Sequence, residues 1–481
     1  MVSVRRQFVT AVALAALLVG CKGGTGGGSV DSTVPPIAGT PAPPPTSSAC
    51  SLRARQDWAA AQLREWYLFP ETLPASLDPS PYASVEAYID ALTATARAQR
   101  RDRFFTYLTS IAQENAFYAS GSSAGFGIRL STDAAARRVF VAEAFEGAPA
   151  LAAGIDRGTE IVAIGTTVSN LRTVDSIIAA EGLDGVTNAL GPTTAGTTRV
   201  LRVRDASGTH DLTVTKADYD LTPVSSRYGA RIFDDGGRRV AYVNLRTFIS
   251  SADPALRNAF ATFRAQGVTD VIVDLRYNGG GLVSIAELMG DLLGGNRAGQ
   301  VFSFTTFRPE KAQYNDSRLF APQPQSIGAL KIAFIGTGGT ASASELVINA
   351  FLPYLHTNEA LVGTNTYGKP VGQIAVDKAE CDDRLRVIAF ATQNAAHQGN
   401  YFDGLATTME ATCQAGDDIA HPLGDPTEAS IRAALDFLGG RSCTRIAAGG
   451  GIGTEGVREG PRQLLTPERP TTMQREVPGT F

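Results

Sequence analysis

Lysine is scarce in this 481-residue chain: only six of its 43 basic residues are Lys, leaving 37 Arg. Arginine stays charged at any working pH and cannot act as a base. A lysine kept against that background is a candidate for a group that must shed its proton. The six are Lys22, Lys216, Lys311, Lys331, Lys369 and Lys378. There are only four histidines, and none lies two to five residues from a cysteine, so no zinc pattern forms. No metal and no cofactor is expected. The net charge is a mild −4, and no basic stripe argues for nucleic acid. Long apolar runs are missing too. The longest, Phe8 to Gly20, has 13 residues, short of the roughly 20 that span a bilayer.

What is present begins with that run. Preceded by Arg5 and Arg6, it reads as the h-region of a signal peptide over residues 1–20. Leu18-Val19-Gly20-Cys21 resembles the bacterial lipobox, which implies lipidation at Cys21. Lys22 follows, where Asp would suggest inner-membrane retention, so the resemblance points to a periplasmic protein anchored by lipid in the outer membrane. An ordinary secretory signal with a chance Cys is the plainer alternative. Removing Arg5 and Arg6 takes the net charge from −4 to −6. Residues 21–49 are rich in Gly, Pro, Ser and Thr, and read as a flexible tether. Residues 444–481, with a glycine run and four prolines, read as a disordered tail. Four cysteines remain beyond Cys21, an even number that fits an oxidising exterior. Three pairings are possible; the expected one is Cys381–Cys413 with Cys50–Cys443, the second clasping the start of the folded body to its end.

Between those ends the chain has apolar residues for two to three domains. Residues 50–118 read as helical, with helices at about Arg53–Trp66 and 84–98, the second capped by Ser84. Residues 119–216 carry short β-rich runs around Gly-Ala-Pro-Ala-Leu-Ala-Ala-Gly-Ile-Asp-Arg-Gly-Thr-Glu-Ile at 147–161. That order resembles a PDZ domain, with Thr159 where the motif usually has Asp. The resemblance implies a carboxylate-binding loop at Gly125, Phe126, Gly127 and Ile128, and a bound peptide added as a β-strand. A small β-domain that binds nothing is the bland alternative. Residues 217–443 alternate strand and helix, which implies a mainly parallel sheet with helices on its faces. Residues 305–327 read as a long polar loop fringing a cleft.

Three segments carry chemistry. Strand Asp270–Leu275 runs into Arg276-Tyr277-Asn278-Gly279-Gly280-Gly281, a glycine turn where ligands of open α/β sheets sit. It lacks the full phosphate-loop pattern. Ser342 opens a helix after strand Lys331–Ile335; Ser342-x-x-Glu345 is also a capping box, so a purely structural role competes with a nucleophile at a positive helix end. Lys369 lies 27 residues beyond Ser342, between Gly368 and Pro370. Gln373 follows by four, and in a straight strand those Cα atoms would be about 13 Å apart. Contact between the two side chains demands a bend, which Gly368 and Gly372 permit.

"DLRYNGGG", "TASASE" and "YGKPVGQ" together resemble the C-terminal processing (tail-specific) serine peptidases, in order as well as in kind. The resemblance covers roughly 50–440. It implies a multidomain α+β and α/β fold: an N-terminal helical region, a PDZ-like domain and a ClpP- or crotonase-like peptidase core. It also implies Ser342 as nucleophile, Lys369 as general base and Gln373 orienting the lysine. The oxyanion donors would be the N–H groups of Ala343 and of Gly280 or Gly281. Pro370 departs from the Gly usual there. His210, His356, His397 and His421 lie in no segment resembling a histidine triad. The expected partners are protein or peptide substrates with exposed C-termini, the membrane through a lipid anchor alone, an activating adaptor, and no nucleic acid. Two other classes compete: a non-catalytic protein that tethers tails, and a small-molecule binder.

Overall fold

The computed structural model describes residues 48–447 and 462–481. The signal segment, Cys21, nearly all of the tether and residues 448–461 lie outside the described residues.

The core sheet is built from near-continuous apolar runs such as Asp270–Asp274, Lys331–Gly336 and Glu359–Gly363, which suits strands covered on both faces. Its strand order is Ala230–Asp235, Arg238–Asn244, Asp270–Asp274, Lys331–Gly336, Glu359–Gly363, Ala411–Gln414. Every pair is parallel except the first. Alternate side chains serve opposite faces. Val271, Val273, Ile332 and Phe334 pack under helices Ala252–Ala265, Val283–Leu293 and Ala343–Leu355. Ile272, Ala333 and Ile335 pack under Ala429–Leu438. The parallel strands therefore release their loops at a common end, which is where the candidate chemistry gathers.

A second sheet holds Tyr107–Ser110, Val301–Phe307, Asp316–Leu319, Val371–Lys378 and Asp383–Gln393. Helices Leu52–Trp66 and Val85–Leu92 bury Leu63, Tyr67, Tyr88 and Ile89 against its Val371, Leu385 and Val387. Ser51 and Ser84 cap these helices, accepting from the N–H of Ala54 and Ala87. The segment expected as a long polar loop at 305–327 instead contains the hairpin of Val301–Phe307 with Asp316–Leu319. Phe302, Phe304 and Phe307 give it strand propensity that its polar residues mask.

The β-rich unit is antiparallel, in the order Ile128–Asp133, Arg138–Ala144, Glu160–Gly165, Thr198–Asp205, Gly208–Thr215. A helix over Val174–Leu190, not expected from the sequence, closes its apolar core with Ile177, Val186 and Leu190. This unit is locked to the core by a buried ion network. Glu143 accepts from Arg129 (3.1 Å) and from Arg246 of the core (2.7 Å), and also from the Tyr228 hydroxyl. Arg246 also reaches Glu146 at 2.7 Å.

Two expectations are corrected here. The disulfides are Cys50–Cys381 and Cys413–Cys443, not Cys381–Cys413 and Cys50–Cys443. Cys381 lies in the turn between Val371–Lys378 and Asp383–Gln393 in the second sheet, beside the first helical turn at Ser48–Cys50. Cys413 is on the last strand of the core sheet, and residues 443–446 run alongside it, the Gln414 N–H donating to Thr444 O at 2.7 Å. Residues 462–481, expected to be disordered, fold onto the body: Gln463–Leu464 pairs with Ser131–Thr132, and a helical turn spans Thr472–Glu476. Among the described residues no helix is long and apolar enough to cross a membrane.

Candidate active site

The loops after three neighbouring parallel strands converge. The first, 276–281, is held from below by a buried ion cluster. Arg276 bridges Asp274 (2.9 Å) and, through both terminal nitrogens, Glu428 (2.8 and 2.9 Å). Asn278 is fully buried and organises the turn: its Nδ2 donates to Leu245 O at 2.8 Å, and its Oδ1 accepts from the Gly280 N–H at 2.9 Å. Its backbone oxygen receives the Ala341 N–H (3.0 Å) and the Ser344 hydroxyl (2.9 Å), fastening the first loop to the second. The third is fastened to the second by the Tyr367 N–H on Thr340 O at 2.9 Å.

Ser342 opens helix Ala343–Leu355 with φ 56° and ψ −115°. A non-glycine residue there is strained by an amount on the order of 1–3 kcal/mol, and persists only where its surroundings hold it. Gly280 makes room: a Cβ at that position would lie 2.8 Å from the Ser342 Cβ. Ser342 remains partly accessible.

The holding group is Glu345, a fully buried carboxylate. It accepts from the Ser342 N–H (3.1 Å), the Lys369 N–H (2.7 Å), the Gly368 N–H (2.7 Å) and the Thr366 hydroxyl (2.6 Å). The capping-box reading of Ser342-x-x-Glu345 is thus half of its work. The same carboxylate joins the backbones of both candidate residues. Burial raises the Glu345 pKa, against the pull of its four hydrogen bonds.

Lys369 Nζ donates to Gln373 Oε1 at 2.9 Å. The bend that this contact demands is present as a register shift between Gly372 and Gln373 in the pairing with Asp383–Gln393. Gln373 in turn donates through Nε2 to the backbone oxygen of Phe105. The Phe105 ring lies 5.0 Å from Lys369 Nζ. Phe105 is presented by a turn tied to Asp102, which accepts from the N–H groups of Phe105 (2.8 Å) and Thr106 (3.2 Å). Burial pushes the Lys369 ammonium below the ordinary lysine value; Glu476 and Asp102 pull it back up, while Arg475 and Arg386 add to the lowering. No hydrogen bond joins Ser342 to Lys369 among the described residues. Their link is through Glu345.

The remaining expected site residues divide. Ala343 is buried at the first helical position, where its N–H has no partner within the helix. The Gly280 N–H is already taken by Asn278, so it is not a free oxyanion donor as expected. The Gly279 N–H instead holds a carbonyl, that of Glu476, at 2.9 Å. Gly281 packs close on Phe248 at φ 131°, a conformation that favours glycine. Gly125 ends strand Ser122–Gly125 and Ile128 begins strand Ile128–Asp133, with Phe126 and Gly127 between them. Sequence reasoning missed Gly279, Asn278, Phe105 and the reach of Glu345. The Asn and the glycine were visible in the motif; the other two act across the fold.

Residues 239–401, which contain all three loops, match peptidase family S41. Among curated proteins, this chain is similar to carboxyl-terminal-processing peptidase 3 of Arabidopsis thaliana, 25% identical over 68% of this chain and 60% of that protein. It is also similar to the C-terminal processing peptidase of Tetradesmus obliquus, 28% identical over 54% of each. The matched region thus spans less than two thirds of either relative. A crystal structure of an S41-family protein from Bacteroides fragilis has a TM-score of 0.61 at 21% identity, covering 80% of this chain and 97% of that one, and shares the fold.

Proposed function

We propose that this chain is a serine endopeptidase of the C-terminal processing type. The observation that carries the reading is the clamp: one buried carboxylate, Glu345, grips the backbones of a strained, accessible Ser342 and of Lys369, whose Nζ is aimed by Gln373.

An unperturbed lysine is neutral only about 0.04% of the time at pH 7. Desolvation beside Phe105 lowers that barrier to deprotonation. Neutral Lys369 takes the Ser342 proton as the hydroxyl oxygen attacks the peptide carbonyl. The oxyanion falls to backbone N–H groups, those of Gly279 and Ala343. The lysine then returns its proton to the leaving amine, and water hydrolyses the acyl-enzyme. The β-rich unit is read as PDZ-type, with the loop Gly125-Phe126-Gly127-Ile128 capturing chain ends by strand addition to Ile128–Asp133. Substrates are envelope proteins with exposed C-terminal tails. Cys21 anchors the chain by lipid at the periplasmic face of the outer membrane.

The test is an unstructured protein with an apolar C-terminus incubated with the chain and with its Ser342→Ala variant, fragments read by mass spectrometry. Cleavage by the unaltered chain alone is expected. Equal fragmentation by both, or by neither after tail release as described below, would defeat the reading.

A further inference from the structure

Residues 462–481 return to the molecule twice along the same strand. Leu465 N–H donates to Leu130 O at 3.0 Å, continuing the pairing of Gln463–Leu464 with Ser131–Thr132. After the helical turn Thr472–Glu476, the chain lies along the first half of that strand. Leu130 N–H donates to Gly479 O (2.8 Å) and Phe481 N–H to Ile128 O (2.9 Å). Phe481 O receives the N–H groups of Gly127 (3.0 Å) and Ile128 (3.4 Å). The Phe481 side chain is buried in the apolar cluster that includes Phe126, Ile128, Val186 and Leu190. Residues 479–481 thus occupy the groove read above as the peptide-binding one.

Between the two pairings, the helical turn sits on the catalytic loop. Gly279 donates its N–H to Glu476 O, and a Cβ at Gly279 would collide with the backbone oxygen of Arg475. Met473 and Val477 anchor the turn among Phe117, Phe145, Tyr219 and Ile249. The buried Glu476 carboxylate accepts from the Tyr118 hydroxyl at 2.9 Å, and its charge acts on Lys369.

We propose that residues 472–481 are a built-in peptide ligand that shuts the cleft of the resting chain, and that a substrate enters by displacing them with a segment ending in an aromatic side chain. The proposal rests on the peptidase reading for what the cleft does, but the occupancy is a separate matter. The segment fills the groove and one oxyanion donor together. It does so in a shape unsuited to attack: the Val477 N–H, which would leave with the product, is tied to Met473 O at 2.7 Å inside the turn. Glu476 offers Lys369 a counter-charge that favours the protonated form, the one that cannot act as a base. A tethered segment competes at an effective concentration on the order of millimolar, so a micromolar substrate needs about a thousandfold better intrinsic affinity to enter.

Binding and turnover test this separately. A labelled peptide of residues 472–481 is titrated into full-length Ser342→Ala chains with and without Phe481→Asp. Binding at least tenfold tighter with Phe481→Asp is expected; equal affinity overturns the proposal. In the chain with Ser342 intact, Phe481→Asp should raise turnover of an unstructured reporter at least tenfold, and the added peptide should reverse the gain. Unchanged turnover in a chain that cleaves leaves the peptidase reading standing and ends this one. Differential binding with no cleavage by either does the reverse. Loss of residues 477–481 from the unaltered chain but not from Ser342→Ala would show the segment to be a substrate and overturn its inhibitory role. A chain ending at Pro470 serves where Phe481→Asp fails to fold. Hydrogen exchange on the unaltered chain needs no variant: fast exchange at Gly127, Leu130 and Gly279 defeats the proposal outright.

Discussion

Two buried carboxylates, Glu143 and Glu345, solve the same problem in opposite ways. Both are nearly or wholly inaccessible. Glu143 meets two guanidiniums, those of Arg246 and Arg129, which overcome its burial and hold it down at about 2. Glu345 meets only N–H groups and one hydroxyl, and burial leaves its pKa raised. The first joins two structural units through matched charge. The second trades charge compensation for geometry, because four neutral donors on two loops fix positions that a guanidinium would crowd. The clamp between Ser342 and Lys369 is therefore paid for in stability, and the junction between units is not.

The largest break in that contrast is Glu143→Gln. It leaves Arg129 without its counter-charge and Arg246 with Glu146 alone, and should cost about 3–5 kcal/mol, read as a large fall in the urea midpoint. Glu345→Gln should cost less, about 1–3 kcal/mol, because it still accepts at one oxygen while presenting an NH₂ to N–H groups. Its effect on catalysis should exceed its effect on stability, with kcat lower by on the order of 100-fold, since Ser342 and Lys369 lose their common support.

The pH dependence of stability sharpens the comparison. Glu143 has a depressed folded pKa, so its contribution is present above the ordinary carboxylate value and is lost as pH falls toward about 2. Glu345 has a raised folded pKa, so its contribution is full below the ordinary value and is lost as pH rises through the folded one. Urea midpoints from pH 2 to 7 should therefore change slope in opposite senses in the two Gln variants. Lys369 has a lowered folded pKa, and kcat should climb as pH rises through it. Smallest of all, Arg53→Ala, which breaks an exposed pair with Asp57, should leave the melting temperature where it is.

Much of this was legible from residue order. The parallel strands announce themselves as apolar runs, and the loops bearing Gly279, Ser342 and Lys369 follow them directly, so their convergence comes from topology. The Lys369–Gln373 contact carried its own condition, a bend at Gly372, and the bulge supplies it. The disulfide partners were misjudged because pairing depends on which loops meet, and Cys381 and Cys413 belong to different sheets. Residues 462–481 were misjudged because composition averages over the segment, whereas four buried side chains, Leu465, Met473, Val477 and Phe481, do the anchoring. Glu345 read correctly as a local cap, but Thr366, Gly368 and Lys369 are more than twenty positions away, beyond any local pattern.

Strand Ile128–Asp133 has a neighbour on one side in Arg138–Ala144, and on the other, among the described residues, only residues 463–465 and 479–481. Without them it is the bare margin of an antiparallel sheet, with a row of unpaired backbone donors and acceptors, a surface to which a second chain adds readily. Release of residues 479–481 bares the first half of that edge, and loss of residues 463–465 as well bares the rest. A chain shortened before Gln463 should self-associate at concentrations where the full chain stays dispersed, and short peptides that refill the margin should reverse it.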